Sequence, residues 1–496
     1  MMGLNKKGVY ETIFRKQRLK IVLIAFLLFS IGFSFYRYFY FTLDGDITGI
    51  VLPCKGYETV LKDPFGINVI LHDSIYAAPN RFFVHWFMSH YFKTAPLLLQ
   101  HFVSPLDSVY LACAFIKIFI QIFLIYILSA FISGKKRFWH TDFLLAASII
   151  TPFFQISGYY ASIGIIDHSI TYTFFYAGSL SLVLLFFLPF FNAVFGKGGF
   201  SFSRVKVILL LLLSVVISFS GPLNTAVVLI IGSSILFYCF IHNFLGLNGI
   251  SLFSRPLAAF KKIPVQLFFI SGFAITVSLY SFYVGRSNAE NFWKTIPITE
   301  RYSRLLEGLR SQFTDTYAFS LILLIISLNV WVITKYKPTA EAGKILTFLK
   351  WILVCSVIYI LFLPFGGYRA YRPNIIRWDT IMPVTLALIL FYGLSTHYVI
   401  KNVKIEGIFF YYLIIIIFAV HFIKKDMVVE KVNECERSSL EKISQSPDSV
   451  VFIDNGCWIM YWGRTTDPNE SQLNMELLRY WGVIKEKKLF YQPPIP

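Results

Sequence analysis

The clearest potential for chemistry lies in two carboxylates separated by one glycine, Asp44-Gly45-Asp46. They stand a few residues after the first apolar stretch and open a polar excursion that ends near Leu106. Paired carboxylates can act as a general base or hold a divalent metal ion such as Mg or Mn. Two solvated loop carboxylates are the alternative interpretation. The place of the pair, just where the chain leaves a membrane, favours chemistry at the membrane surface.

The elements that must position this pair are membrane-spanning helices. Hydrophobic residues make up 56% of the 496 residues and charged residues only 15%, which is too apolar for a soluble globular protein. The apolar runs are continuous and long, so the sequence predicts an all-α polytopic membrane protein. The net charge of +18 reflects basic loops on the side expected to be cytoplasmic, and no basic tail indicates nucleic-acid binding.

The first span follows a basic segment and ends in an aromatic belt at residues 36–40, which predicts an uncleaved helix with a cytoplasmic N-terminus. Further spans are predicted at about 108–132, 142–157, 169–191, 207–220, 224–243, 264–284, 317–334, 346–363, 380–396 and 408–423. Because basic residues recur in alternate loops, about eleven helices are consistent with the charge pattern. An odd count places residues 424–496 outside, after a transmembrane domain of residues 1–423.

The first outer loop, residues 41–106, contains a second feature. Aromatic residues of the stretch 80–92 share one helical face. This pattern predicts a helix that lies in the membrane interface rather than crossing it.

Residues 424–496 are predicted to form a small extracytoplasmic C-terminal module. Residues 450–453 and 458–462 are interpreted as strands on either side of a turn. Cys435 and Cys457 share this segment. They could form a disulfide if the segment is outside, or they could be free thiols.

The plan of the chain resembles that of the type C glycosyltransferases (GT-C), polytopic enzymes that use polyprenyl-phosphate-linked sugars. Members of that superfamily carry acidic residues in the first outer loop, where this chain has Asp44-Gly45-Asp46. There are three further similarities: interfacial helices, a second acidic site in the next outer loop, here Asp167-His168, and a soluble outer C-terminal domain. The resemblance implies a GT-C-like fold. It also implies that Asp44 is the general base, that Asp46 orients the acceptor or holds a metal, and that no other cofactor is needed.

A polyprenyl-phosphate donor would place an anionic phosphate at the outer interface. The segment 366–379 supplies Arg369, Arg372 and Arg377 among aromatic residues, on the side where positive charge is otherwise disfavoured. Guanidinium groups suit phosphate oxygens, so these arginines are predicted to bind the donor phosphate. The alternative is that they pair with Asp379 and nearby carboxylates to hold the loop, and Arg377 is the closest to Asp379 in sequence.

Lys117 lies well inside the second predicted span. Cys113, Lys117 and Gln121 recur at four-residue spacing, which places them on one helix face. A lysine inside a membrane is costly and usually faces a cavity or a partner. Lys117 could reach the donor phosphate, or it could snorkel or form a structural ion pair.

Two polar pairs are further candidates for substrate binding. Asp167-His168 could supply a second acid, an acceptor contact or a metal ligand; a helix cap and a surface histidine are the alternative. Asn80-Arg81 opens the predicted interfacial helix, where Arg81 could contact substrate. Capping and lipid headgroups explain Asn80-Arg81 equally well.

These features predict a glycosyltransferase of a bacterial inner membrane, which moves a sugar from a polyprenyl-phosphate donor to a glycan, lipid-linked or protein acceptor on the outer face. An O-antigen-type polymerase or ligase is a rival enzyme, since such proteins rely on outer-loop arginines. A lipid-linked-glycan flippase is the rival from another class. Transporters tend to show paired repeats and midplane charges, and neither repeats nor a nucleotide-binding loop is evident in this sequence.

Overall fold

The computed structural model describes residues 6–155, 163–195, 199–247, 249, 251–291, 296–366, 372, 374–404, 406–424 and 432–494. These residues are mostly helical. In chain order the helices are α1 (Lys6–Phe39), α2 (Ile47–Val51), α3 (Lys55–Lys62), α4 (Ile67–His72), α5 (Phe82–Leu99), α6 (Pro105–Ser133), α7 (Thr141–Ile150), α8 (Ile170–Tyr172), α9 (Ser179–Phe195), α10 (Arg204–Ser218), α11 (Pro222–Gly246), α12 (Arg255–Lys261), α13 (Val265–Gly285), α14 (Ile298–Thr314), α15 (Ala318–Tyr336), α16 (Ala340–Phe362), α17 (Trp378–Asn402), α18 (Ile408–Lys424), α19 (Glu434–Gln445) and α20 (Gln472–Tyr480).

Within the described residues, 8 helices are long and apolar enough to cross a membrane. They are Lys16–Phe39, Pro105–Ser133, Ile170–Phe195, Pro222–Gly246, Val265–Gly285, Ala318–Tyr336, Ala340–Gly366 and Trp378–Asn402. The chain is therefore an all-α polytopic membrane protein, as predicted. The other three predicted spans fall on shorter helices, at Thr141–Phe154, Arg204–Ser218 and Ile408–Lys424, so the total of eleven crossings stays a prediction.

Two ion pairs mark the two ends of the helical bundle. At one end, which we name the loop end, the first turn of α6 meets the C-terminal module through the ion pair of Asp107 with Arg437 at 2.5 Å. At the opposite end, Lys401 pairs with Asp142 at 2.8 Å across α17 and α7. Helices α6 and α17 are the most buried of the long helices, so they form the centre of the bundle around which the site is built.

The C-terminal module does not form the predicted hairpin. Strand β1 (Val450–Phe452) pairs in parallel with β2 (Leu489–Tyr491), and residues 458–462 form no strand. Ile459 and Met460 are buried anchors, and Met460 adopts a positive φ of 50° that breaks an extended run. The apolar residues at 458–462 therefore belong to a loop whose buried side chains pack into the module, and not to a β-strand.

Two further features of this module concern its attachment. Cys435 and Cys457 form a disulfide, the first of the two alternatives that the sequence left open. The indole of Trp481 is fully buried and donates a 2.8 Å hydrogen bond to the carbonyl of Phe92 on α5. The predicted helix at 80–92 falls on α5, which the C-terminal module contacts at Phe92.

Candidate functional site

Asp44 is buried at the loop end, with 4% of its surface exposed, and its carboxylate accepts five hydrogen bonds. Oδ1 accepts from the backbone N–H groups of Asp46 (3.0 Å) and Ile47 (2.9 Å) and from Oγ1 of Thr171 (2.9 Å). Oδ2 accepts from Oγ of Ser169 (2.6 Å) and from the backbone N–H of Thr171 (2.8 Å). Asp44 therefore ties the start of α2 to the turn that precedes α9.

This arrangement bears on the roles predicted for the carboxylate pair. A carboxylate offers about four lone-pair positions, so Asp44 has little capacity left to take a proton or bind a metal. Among the described residues, no group of three or more His, Cys, Asp or Glu side chains is placed to hold a metal ion. Direct metal ligation by Asp44 does not fit its surroundings. Asp46 is the more exposed carboxylate of the two.

Lys117, Asp167 and His168 lie together beside Asp44. The ammonium of Lys117 donates to the carbonyl of His168 and is within electrostatic range of Asp167 and Asp44. Oδ1 of Asp167 accepts from the backbone N–H of Ser169 at 2.6 Å. Burial raises the pKa of Asp167 to about 8, and burial lowers the pKa of His168. The predicted intramembrane lysine thus faces the predicted second acidic site.

Two of the three predicted phosphate-binding arginines form ion pairs. Oδ2 of Asp379 lies 2.6 Å from Nη2 of Arg377 and 3.4 Å from Nη1 of Arg372. Asp379 is almost fully buried, while both guanidinium groups are partly exposed. This is the ion pairing that the sequence left open, and it holds both arginines at the loop end. Arg369 lies outside the described residues.

Four aromatic side chains border these charges. Tyr172 stacks on Trp462 with centroids 5.8 Å apart and also contacts Trp378 at 5.5 Å. Tyr176 meets the edge of Trp378 at 6.3 Å. Tyr176 belongs to a π-helical turn, Thr173–Gly178, that joins α8 to α9, and such turns are frequent at functional sites. The sequence analysis included Trp378 among the aromatic residues of segment 366–379, but it did not identify Tyr172, Tyr176 or Trp462 as site residues.

Asn80 and Arg81 lie farther from the carboxylate pair. The Asn80 amide is buried and donates to the carbonyl of Ser281 at 3.4 Å. A Cβ on Gly285 would lie 2.6 Å from this amide, so Asn80 packs closely against α13. The guanidinium of Arg81 lies 5.9 Å from the ring centre of Phe175. Arg81 borders the aromatic cluster, whereas the observed contacts of Asn80 are structural.

An apolar cavity of about 570 Å³ runs along the bundle between α6, α9, α11, α16 and α17. Its lining follows α16 from Ala340 to Tyr359, about 28 Å at 1.5 Å per residue. That length is close to the ~30 Å thickness of the hydrocarbon core of a bilayer. The hydroxyl of Tyr359, at one end of this lining, donates to the carbonyl of Thr380 at 2.7 Å, and Thr380 follows Asp379 in the chain.

No protein-family model, curated protein or solved structure matches this chain. Any function must therefore be argued from the site itself. The site consists of a carboxylate pair, a buried lysine, two arginines and aromatic side chains, gathered where an apolar cavity reaches the loop end.

Proposed function

We propose that this protein is a membrane glycosyltransferase that moves a sugar from a polyprenyl-phosphate donor to a glycan, lipid-linked or protein acceptor. The observation that carries the proposal is the long apolar cavity, whose lining residue Tyr359 is hydrogen-bonded to Thr380, the residue after Asp379. A lipid-linked phosphate has one long apolar tail and one anionic head. The apolar cavity would suit the tail, and the charged cluster would suit the head. This division also supports a GT-C-like architecture for the fold.

The donor tail would lie in the cavity, and its phosphate would meet the cations at the end of it. Arg372 and Arg377 are held there by Asp379. Arg369, outside the described residues, stays a candidate in the same segment. Guanidinium groups bind phosphate oxygens through paired hydrogen bonds, and Lys117 would add a positive charge near the leaving group.

Asp46 is the residue that we propose as general base. The acceptor hydroxyl gives its proton to the Asp46 carboxylate, its oxygen forms a bond to the anomeric carbon, and the bond from that carbon to the phosphate oxygen breaks. Polyprenyl phosphate leaves with the negative charge, which the arginines stabilise. Asp44 would position the loop through its five hydrogen bonds, and no step requires a metal.

The loop end would face the outside of a bacterial plasma membrane. The short loop after α6, at the opposite end, carries Lys135, Lys136 and Arg137, and short cytoplasmic loops are usually rich in Lys and Arg. The Cys435–Cys457 disulfide is at the loop end, and disulfides persist in oxidising compartments. With this orientation the N-terminus is cytoplasmic and the C-terminal module extracytoplasmic.

Transfer by purified protein tests this function. Radiolabelled polyprenyl-phosphate sugars are supplied with a membrane lipid extract to wild type, Asp46→Asn and the control Asp454→Asn, an exposed carboxylate of the same end. We expect label to enter a new product with wild type and the control, and at least a hundredfold less with Asp46→Asn. Movement of labelled lipid across proteoliposomes without any transfer would instead favour a flippase.

A further inference from the structure

We propose that Trp462, Tyr172 and Trp378, named here the aromatic platform, bind a pyranose ring of the acceptor glycan beside Asp46. The inference rests on the proposed function and deepens it, because it names the surface and the chemistry that select the acceptor. It also gives the C-terminal module a direct role in substrate binding.

The platform is assembled from three separate parts of the chain. Trp462 comes from the C-terminal module, Tyr172 ends α8, and Trp378 begins α17. The rings of Trp462 and Tyr172 are nearly parallel, at 20°, and Tyr172 is inclined by 50° to Trp378. Trp462 is 40% exposed. Trp462 is thus open to solvent, whereas Tyr172 and Trp378 are partly buried, and ring contacts hold all three in position.

The platform lies directly beside the carboxylate pair. A Cβ on Gly45 would stand 2.6 Å from Cδ1 of Trp462 and 2.8 Å from its backbone nitrogen. Only glycine allows the loop and the tryptophan to approach so closely. Tyr172 is within electrostatic range of Asp46 and Arg372. A ring seated on the platform would therefore present its hydroxyl groups near the proposed base.

Sugar is the ligand that this combination fits best. A pyranose has an apolar C–H face that packs on aromatic rings, and hydroxyl groups that bind carboxylates and guanidinium groups. A membrane-interface anchor is the alternative for exposed tryptophan. The close approach of Trp462 to Gly45 and its stacking on Tyr172 attach it to the candidate site, and an interface anchor needs neither contact.

Trp458 provides a matched control within the same loop. It is more exposed than Trp462, at 54%, and it has no ring contact with the platform in the described part of the chain. Trp462→Leu removes the aromatic face but keeps apolar bulk, Trp462→Phe keeps a smaller aromatic face, and Trp458→Leu tests general loss of tryptophan. All variants are made in the full chain and purified in nanodiscs.

The first measurement is the kinetics of transfer to a lipid-linked glycan extract, with donor hydrolysis followed in the absence of acceptor. Trp462→Leu should raise the acceptor KM about tenfold, and an equal loss of donor hydrolysis would overturn the inference because it would indicate a general disturbance of the site. Trp462→Phe should have a smaller effect, and Trp458→Leu should match wild type. An unchanged acceptor KM in Trp462→Leu would overturn the inference while leaving the proposed function intact.

The second measurement works even if no transfer occurs. Tryptophan emission is recorded with maltose, lactose and chitobiose as probes, and separately in nanodiscs made with brominated lipid. Saccharide quenching that Trp462→Leu abolishes would support the platform even where transfer fails. Quenching of Trp462 by brominated lipid would identify a membrane contact instead, and no saccharide quenching together with no transfer would refute the platform as well as the enzyme.

Discussion

Glu436 in the C-terminal module accepts a hydrogen bond at 2.9 Å from the backbone N–H of Leu43, the residue immediately before Asp44. The same carboxyl oxygen accepts from the hydroxyl of Tyr110 on α6 at 2.9 Å, and the other accepts from the backbone N–H of Met460 at 3.0 Å. Glu436 is fully buried. One side chain thus joins the module, the acidic loop and the central helix, so the module helps to set the position of the carboxylate pair.

The first prediction concerns the pH dependence of stability. Burial raises the pKa of Glu436 to about 7, from an ordinary value of 4.5. Between these values the folded state retains a proton that the unfolded state has lost, so this group makes the protein less stable as pH rises. The difference amounts to about 3 kcal/mol. We expect the apparent Tm of wild type to fall from pH 5 to 8 more steeply than that of Glu436→Gln.

The comparison of wild type with Glu436→Gln removes the contribution of Asp167, whose pKa is also raised and which both proteins share. Glu441→Gln, an exposed glutamate of α19, should leave the slope unchanged. Parallel Tm curves for wild type and Glu436→Gln would show that Glu436 has an ordinary pKa in the folded protein.

The second prediction concerns the disulfide beside Glu436. Cys435 and Cys457 are 22 residues apart in sequence, and closing a loop of this size contributes about 3 kcal/mol by restricting the unfolded chain. Dithiothreitol should therefore lower the Tm of wild type by several degrees, while Cys435→Ser with Cys457→Ser should start lower and not respond. If dithiothreitol also lowered the Tm of the double variant, the effect would not come from the Cys435–Cys457 disulfide.

The sequence was sufficient for the class of fold and for the separate parts of the site. Long apolar runs predicted an all-α membrane protein. Asp44, Lys117 and Asp167 were identified as candidate site residues because they are charged and lie within or next to these runs. Their proximity could not be predicted in detail because it depends on tertiary packing. Asp44 and Thr171 are 127 residues apart, and only the folded chain shows that the hydroxyl of Thr171 occupies a lone pair of that carboxylate.

The C-terminal module was the least predictable part. The apolar run at 458–462, which follows a turn, predicted a strand, but the buried side chains of Ile459 and Met460 are adjacent and pack into the module. Five consecutive apolar residues are compatible both with a strand and with a loop that buries two side chains, so the sequence of this stretch does not distinguish them. Glu436 carried no signal either, since a single glutamate in a polar helix is ordinarily exposed. The partner of β1 was equally hidden, because a parallel pair requires a distant segment.

The third prediction tests the buried charge cluster around Lys117. Lys117→Met leaves Asp44 and Asp167 without their nearest buried cation, and removing one partner of a buried charge group costs about 3 kcal/mol. We expect a clear fall in Tm. Adding Asp167→Asn should restore part of it, because the buried carboxyl group that Lys117 faces is then also removed. Lys442→Met, at an exposed position, should have little effect; additive losses in the double variant would mean that Lys117 and Asp167 do not interact.

The fourth prediction separates the roles of the two carboxylates. Both oxygens of Asp44 accept hydrogen bonds, so Asp44→Asn must turn an amide N–H₂ toward at least two donors, which costs about 2 kcal/mol. Asp44→Asn should therefore lower the Tm, and Thr171→Val, which removes one donor, should lower it by less. Asp46→Asn should abolish transfer. If Asp44→Asn instead kept the wild-type Tm and lost only kcat, while Asp46→Asn stayed active, Asp44 would be the base that the sequence resemblance implied.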